Sequence, residues 1–194
     1  MKTHSGFTLI ELLVTVAVVI VLMAVGIPQF KQMTDRNRLV GAINTLSGDL
    51  NLARSEAVKR GDIVTVCASA DAATCSNAAT WESGWIVFTD RNNDLAAVAP
   101  DILLATRGAL PGGLTLRSTA FANNTFVQYF PSGETGDNGT FTICDSEAAA
   151  AAAARAARAS AININRLGRV GLATDTAGGP PVNDVTGADV SCPP

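Results

Sequence analysis

The sequence predicts an α+β protein: a long N-terminal α-helical spine, half transmembrane and half amphipathic, packed on an antiparallel β-sheet or sandwich domain. Three observations lead there. An apolar run extends from Leu12 to Ile27, broken only by Thr15. Apolar residues then recur at helical spacing through Ala57, and short β-branched or aromatic segments bounded by turn residues follow from Ile63 onward. A length of 194 residues suits one soluble domain and a stalk.

The spine carries its chemistry at its start. Glu11 lies at the head of the apolar run, and a carboxylate within a membrane helix costs roughly 2.5 to 3.5 kcal/mol on insertion scales, so it requires a partner. The leader Met1 to Gly6 is short and carries Lys2. A secretory signal is cut after its apolar stretch, whereas cleavage here between Gly6 and Phe7 would keep that stretch and create an ammonium close to Glu11. Residues 1–6 are thus expected to be a cleaved leader and 7–30 a transmembrane helix. Lys2 and the lack of basic residues from Phe7 to Phe30 place the amino terminus in the cytoplasm. No second apolar stretch approaches the length of about 20 residues that spans a bilayer.

The helix is expected to continue over 31–61. Leu39, Ile43, Leu46, Leu50, Ala53 and Ala57 form an apolar stripe, while Arg38, Asn44, Asp49, Arg54, Glu56 and Lys59 fall largely elsewhere. A single helix from Phe7 to Arg60 would be about 80 Å long. Pro28, following Gly26, predicts a bend or local melting, and Gly61 reads as the stop.

Residues 62–194 form the expected β-rich domain. Strands are predicted at 63–66, 85–88, 102–104, 114–116, 126–130, 140–143 and 162–164, with Trp81, Trp85, Phe88 and Phe130 in the core. Cys67, Cys75, Cys144 and Cys192 make an even set in a domain outside the cytoplasm, which predicts two disulfides. Proximity in sequence favours Cys67 with Cys75 and leaves Cys144 to tie down the Gly- and Pro-rich tail through Cys192. The chain after the leader has no histidine and its cysteine spacings do not suggest zinc, so no metal or cofactor is expected.

Gly6-Phe7-Thr8-Leu9-Ile10-Glu11-Leu12-Leu13 closely resembles the class III signal of type IV pilins and type II secretion pseudopilins. Further along, Ala53 to Gly61, Gly84 to Asp90, Phe130 to Gly133, Gly139 to Cys144 and Gly168-Arg169 resemble the GspH and FimT/FimU group of minor pilins. The resemblance implies a pilin-like fold and cleavage by a membrane prepilin peptidase at Gly6 and Phe7. It also implies N-methylation of Phe7 and pairing of Glu11 with the Phe7 amine of a neighbouring subunit. It makes the chain a type IV pilus minor pilin that helps to initiate assembly near the filament tip, alongside major and minor pilins and an inner-membrane assembly platform. The alternative is a type II secretion minor pseudopilin serving protein export. Either way the chain is held in the bacterial inner membrane with a periplasmic domain before it joins a filament.

Some FimT members bind double-stranded DNA during natural transformation, an activity associated with a Gly-Arg-x-Arg motif. This chain reads Gly168-Arg169-Val170-Gly171, without the second arginine. It is acidic overall, with net charge −3 and pI about 5.1, yet Arg155, Arg158, Arg166 and Arg169 occur with no acidic residue among them. They form the candidate DNA-binding patch. The tract Ala148 to Ala161 is expected to be a short helix or a mobile loop, present as a length-tolerant insertion. Asp90-Arg91-Asn92-Asn93-Asp94 with Asp101 resembles the start of a calcium loop, but Leu95 replaces the required glycine and a turn explains the same residues. Catalysis has no support: His4 departs with the leader, and neither a Gly-x-Ser-x-Gly elbow nor a glycine-rich loop carrying lysine is present.

Overall fold

The computed structural model describes residues 8–145, 159–173, 184–187 and 190. The chain divides into two compact units, Met1–Asn37 and Arg38–Pro194. Helix α1 (Leu9–Arg60) begins in the first and ends in the second.

Within the first unit, Thr8 caps α1: its Oγ1 accepts from the Glu11 N–H at 3.3 Å. This places a hydroxyl residue at the cap and an acid three residues on, where the positive end of the helix dipole favours it. Thr15 turns its hydroxyl back to the Leu12 carbonyl at 2.8 Å, so the one polar residue of the run satisfies itself. Leu9, Ile10, Leu12, Leu13, Val14, Ile20, Val21 and Leu22 are all exposed. Among the described residues no helix is long and apolar enough to cross a membrane. The melting expected at Pro28 does not occur, and α1 is helical through that residue. Proline removes a single backbone donor, and the neighbouring rungs hold the turn.

In the second unit the predicted stripe is the buried face of α1. Leu46, Leu50, Ala53 and Ala57 are fully buried, and Leu39 and Ile43 nearly so. Gly61, with φ of +70°, closes the helix by donating its N–H to the Ala57 carbonyl at 2.9 Å.

Eight strands follow: β1 (Val64–Ala68), β2 (Trp85–Thr89), β3 (Leu103–Arg107), β4 (Leu114–Thr119), β5 (Phe126–Tyr129), β6 (Gly139–Asp145), β7 (Ala159–Ile164) and β8 (Val170–Leu172). They form two antiparallel four-stranded sheets, ordered β3-β2-β1-β5 and β4-β6-β7-β8. Strand β5 returns to the first sheet after β4 has opened the second, which links the two. Both sheets and α1 feed one core that contains Leu46, Leu50, Val66, Trp81, Trp85, Leu116, Phe141 and Ile162. Trp81 stands edge-on to Phe141, with ring centroids 4.7 Å apart. Its indole N–H donates to Ser118 Oγ at 3.0 Å.

Residues of β1 and β2 are buried on both faces. One side contributes to the main core, while Cys67, Ile86 and Phe88 form a second cluster with Cys75, Ala97 and Phe126. Phe130, expected in the core, is only half-buried. It stands just beyond β5, where the chain turns and its N–H bonds the Glu134 carbonyl at 2.9 Å. Strand β7 starts within the alanine tract, with Ala159, Ser160 and Ala161 opposite Cys144, Ile143 and Thr142. Pairing with β6 overrides the helical preference of alanine there. Residues 148–158 of that tract, Arg155 and Arg158 among them, lie outside the described residues. Strand β8, Val170-Gly171-Leu172, is an element that the sequence pattern does not predict.

Candidate functional site

The residues named from sequence fall at separate places. Gly6 and Phe7 lie outside the described residues, and Glu11 lies in the first turn of α1. Cys67 and Cys75 are joined, with Cα atoms 5.5 Å apart. Cys144 is also disulfide-bonded, and Cys192 lies outside the described residues. Within the small ring, Asp71 gathers its neighbours: it accepts from the N–H groups of Thr74 and Ala73 at 2.8 and 2.9 Å and from the hydroxyls of Thr74 and Ser69. These bonds, led by that from the Thr74 backbone, hold its carboxyl well below the usual carboxylate range.

Two polar arrangements were not singled out in the sequence. Asp49 is 3% exposed, and three donors hold it. Trp85 Nε1 donates to Oδ2 at 2.9 Å, Arg107 Nε donates to the same oxygen at 2.8 Å, and Arg107 Nη2 donates to Oδ1 at 2.7 Å. The helix, β2 and β3 thereby converge on one carboxylate. The signal was present: Asp49 follows Leu46 by three residues and precedes Ala53 by four. That is a position on the buried stripe, where a charge demands partners.

The second arrangement centres on Arg54, which donates from Nε to the Gly133 carbonyl at 2.9 Å and from Nη2 to the Leu167 carbonyl at 3.0 Å. The two turns it binds touch each other. Gly133 and Gly168 both have positive φ, and a Cβ on Gly168 would stand 2.1 Å from the Gly133 oxygen. The Leu167 turn carries Arg166 and Arg169. Their backbone N–H groups are held by Asn138 and Asn165 at 2.8 and 3.0 Å, and both residues are exposed. Of the four-arginine window, the described structure therefore brings two together on one turn.

Asp90, Asp94 and Asp101 offer carboxylate oxygens within 4.8 Å of one another. Most of this arrangement is a hydrogen-bonded turn. Asp90 is fully buried and accepts from Thr65 Oγ1 at 2.8 Å and the Asp94 N–H at 3.0 Å, while Asp101 Oδ1 accepts from the Arg91 N–H at 2.9 Å.

An apolar N-terminal helix headed by Glu11, and a helical spine packed on two antiparallel sheets, give the architecture of a pilin. A family model described as "Type II transport protein GspH" matches residues 42–168, and one described as "Prokaryotic N-terminal methylation motif" matches residues 1–27. The chain belongs to the GspH family, whose members are pilin-type structural proteins rather than enzymes.

A fimbrial protein of Pseudomonas aeruginosa is 37% identical to it over 65 residues, 34% of this chain and 42% of that relative. The chain thus spans less than half the length of the curated relatives it matches. The fold is similar to that of the type IV minor pilin FimU of Pseudomonas aeruginosa. One crystal form gives a TM-score of 0.56 at 20% identity, covering 77% of this chain and 98% of that chain. A second gives 0.52 at 19%, covering 73% and 97%.

Proposed function

We propose that this chain is a minor pilin of a type IV pilus, made as a precursor in the inner membrane and helping to initiate the filament near its tip. In this reading prepilin peptidase removes residues 1–6, cutting between Gly6 and Phe7, and the new Phe7 amine is methylated. Residues 7–30 anchor the chain in the membrane, 31–61 join anchor to domain, and 62–194 form a periplasmic domain closed by Cys67–Cys75 and by Cys144 with Cys192. The assembly platform then lifts the subunit into a filament of major and minor pilins.

The observation that carries the reading is Glu11 in the first turn of a helix whose following apolar side chains are exposed all round. Such a helix needs lipid or other helices about it. A carboxylate there is neutralised when the amine of a neighbouring Phe7 comes within bonding range, which selects one axial register of helix against helix. Glu11→Ala should remove the chain from purified pili while leaving its membrane level unchanged. Undiminished incorporation would end the charge-pairing account.

A second reading is favoured by the description of the matching family as a type II transport protein. It makes the chain a minor pseudopilin serving protein export. Deleting the gene separates the two: loss of pili with secretion intact supports the first, and the reverse supports the second. A part in DNA uptake would fall to Arg166 and Arg169, together with Arg155 and Arg158. Such contact would be weak, salt-sensitive and indifferent to base sequence. Duplex binding across a salt series, beside a variant lacking all four arginines, tests it.

A further inference from the structure

The loop between β2 and β3 carries three carboxylates, and its own hydrogen bonds leave one of their oxygens unserved. Asp90, Asp94 and Asp101 stand at the first, fifth and last places of a twelve-residue stretch, with oxygens within 4.8 Å of one another. Asp90 Oδ1 accepts from the Asp94 N–H at 3.0 Å, and Oδ2 from Thr65 Oγ1 and the Gln128 amide at 2.8 and 3.3 Å. Asp94 Oδ1 accepts from the Ala96 N–H at 2.9 Å, and Oδ2 from the Asn92 amide at 2.7 Å. Asp101 Oδ1 accepts from the Arg91 N–H at 2.9 Å. Asp101 Oδ2 alone has no donor, and it is sealed from solvent. A carboxylate oxygen so placed carries its full desolvation cost unless a cation reaches it.

Charge points the same way by a separate route. Every donor just named is a neutral group, so the turn satisfies hydrogen bonding and leaves the charge of three carboxylates uncompensated. Arg91, the one basic residue of the stretch, turns its side chain away, and Nε donates to Asp62 at 2.9 Å. Among the described residues no basic side chain pairs with Asp90, Asp94 or Asp101. Asp90 is fully buried, where solvent ions screen it least.

We infer that this loop binds one calcium ion, with Asp90, Asp94 and Asp101 as its carboxylate ligands. A donor set made only of oxygen selects a hard cation over zinc or copper. Oxygens on opposite sides of calcium stand about 4.6 to 5.2 Å apart, so all three carboxylates fit around one ion. Magnesium demands a near-ideal octahedron and sheds water reluctantly, and carboxylates already tied by the turn are poorly placed to meet that demand. Asp94 is exposed, which gives the ion an entry path and leaves room for water ligands. Leu95 stands where an EF-hand has glycine, so the site is one of converging carboxylates rather than of that motif. Three protein carboxylates correspond to the affinity of extracellular calcium modules, about 10⁻⁴ to 10⁻³ M. The ion ties the end of β2 to the start of β3. The inference does not depend on the Glu11 pairing or on which machine the filament serves, and it fails separately from them.

The test uses the full chain in non-ionic detergent micelles, stripped with EDTA and dialysed. Calcium chloride is titrated by calorimetry beside magnesium chloride, and thermal melts are recorded in EDTA and in each salt at matched ionic strength. The expected result is one saturable calcium site, with magnesium weaker by about tenfold or more. At about 10 mM calcium, Tm should rise by about 3 °C or more. Asp101→Asn keeps the shape and the acceptor for the Arg91 N–H, and should lose both the calcium heat and the rise in Tm. Asp94→Asn, at an exposed position, should weaken binding about tenfold or more and serves alone should Asp101→Asn misfold. Native-like circular dichroism in EDTA is required of each. No saturable calcium heat, a rise in Tm that the folded variants share, or magnesium bound as tightly as calcium would each overturn the inference.

Discussion

Arg107 grips Asp49 with two parallel hydrogen bonds, reaching from the edge strand of a sheet to a carboxylate that the helix has buried. Trp85 completes the set from the strand between them. Breaking one side of a buried pair strands the other charge, a loss of about 3 to 5 kcal/mol for a fully enclosed pair. The Arg107 side chain is 45% exposed, so solvent screens part of that. Arg107→Ala should therefore cost about 2 kcal/mol in urea denaturation, and Arg107→Lys should restore little, since an ammonium cannot form the fork.

The hydroxyl of Tyr129 is buried with no hydrogen-bond partner among the described residues. Burial pushes its phenol above the usual range, partly offset by the charge of Arg54. The folded state therefore favours the neutral form. That contribution is complete below the unfolded value of about 10 and is lost as pH rises through the folded pKa. Tyr129→Phe should flatten the loss of stability above about pH 10. At pH 7 it should be neutral or stabilising by about 1 kcal/mol, because it removes a polar group that folding leaves unpaired. Thermal melts at pH 7 and pH 10.5 would show both effects.

Gly168 has both a positive φ and a backbone oxygen where a side chain would begin. Gly168→Ala should cost at least about 2 kcal/mol from the left-handed backbone and the close approach together. Gly171, with open space around it, is the control, and Gly171→Ala should change denaturant stability by less than about 0.5 kcal/mol.

Arg54→Ala removes two hydrogen bonds from a charged donor to backbone carbonyls. Each is worth roughly 1.5 to 3 kcal/mol when buried. With Arg54 half-buried, a combined loss of about 2 kcal/mol is expected. Hydrogen exchange should show the loss at the Gly133 and Leu167 turns before the rest of the domain.

Legibility followed the physics of each element. The stripe from Leu39 to Ala57 announced the buried face of α1 because period and burial coincide there. Strands such as Trp85 to Thr89 were visible through their β-branched and aromatic residues. Val170-Gly171-Leu172 was not, since one β-branched residue beside glycine has little intrinsic strand character, and its conformation comes from β7. Ala159 to Ala161 misled for the same reason in reverse. Asp49 groups with the polar face by its charge, although its spacing from Leu46 and Ala53 places it on the buried stripe. Arg54 had no local signal at all. Its carbonyl partners are 79 and 113 positions away, and only the closed fold brings them to it.

That separation orders events during synthesis. The arginine is made early, on a helix that can form by itself, whereas the last carbonyl it grips is among the late residues of the chain. Until Leu167 has been made, the Arg54 clamp has at most one of its two carbonyls, that of Gly133, and the joining of the two turns waits for the second.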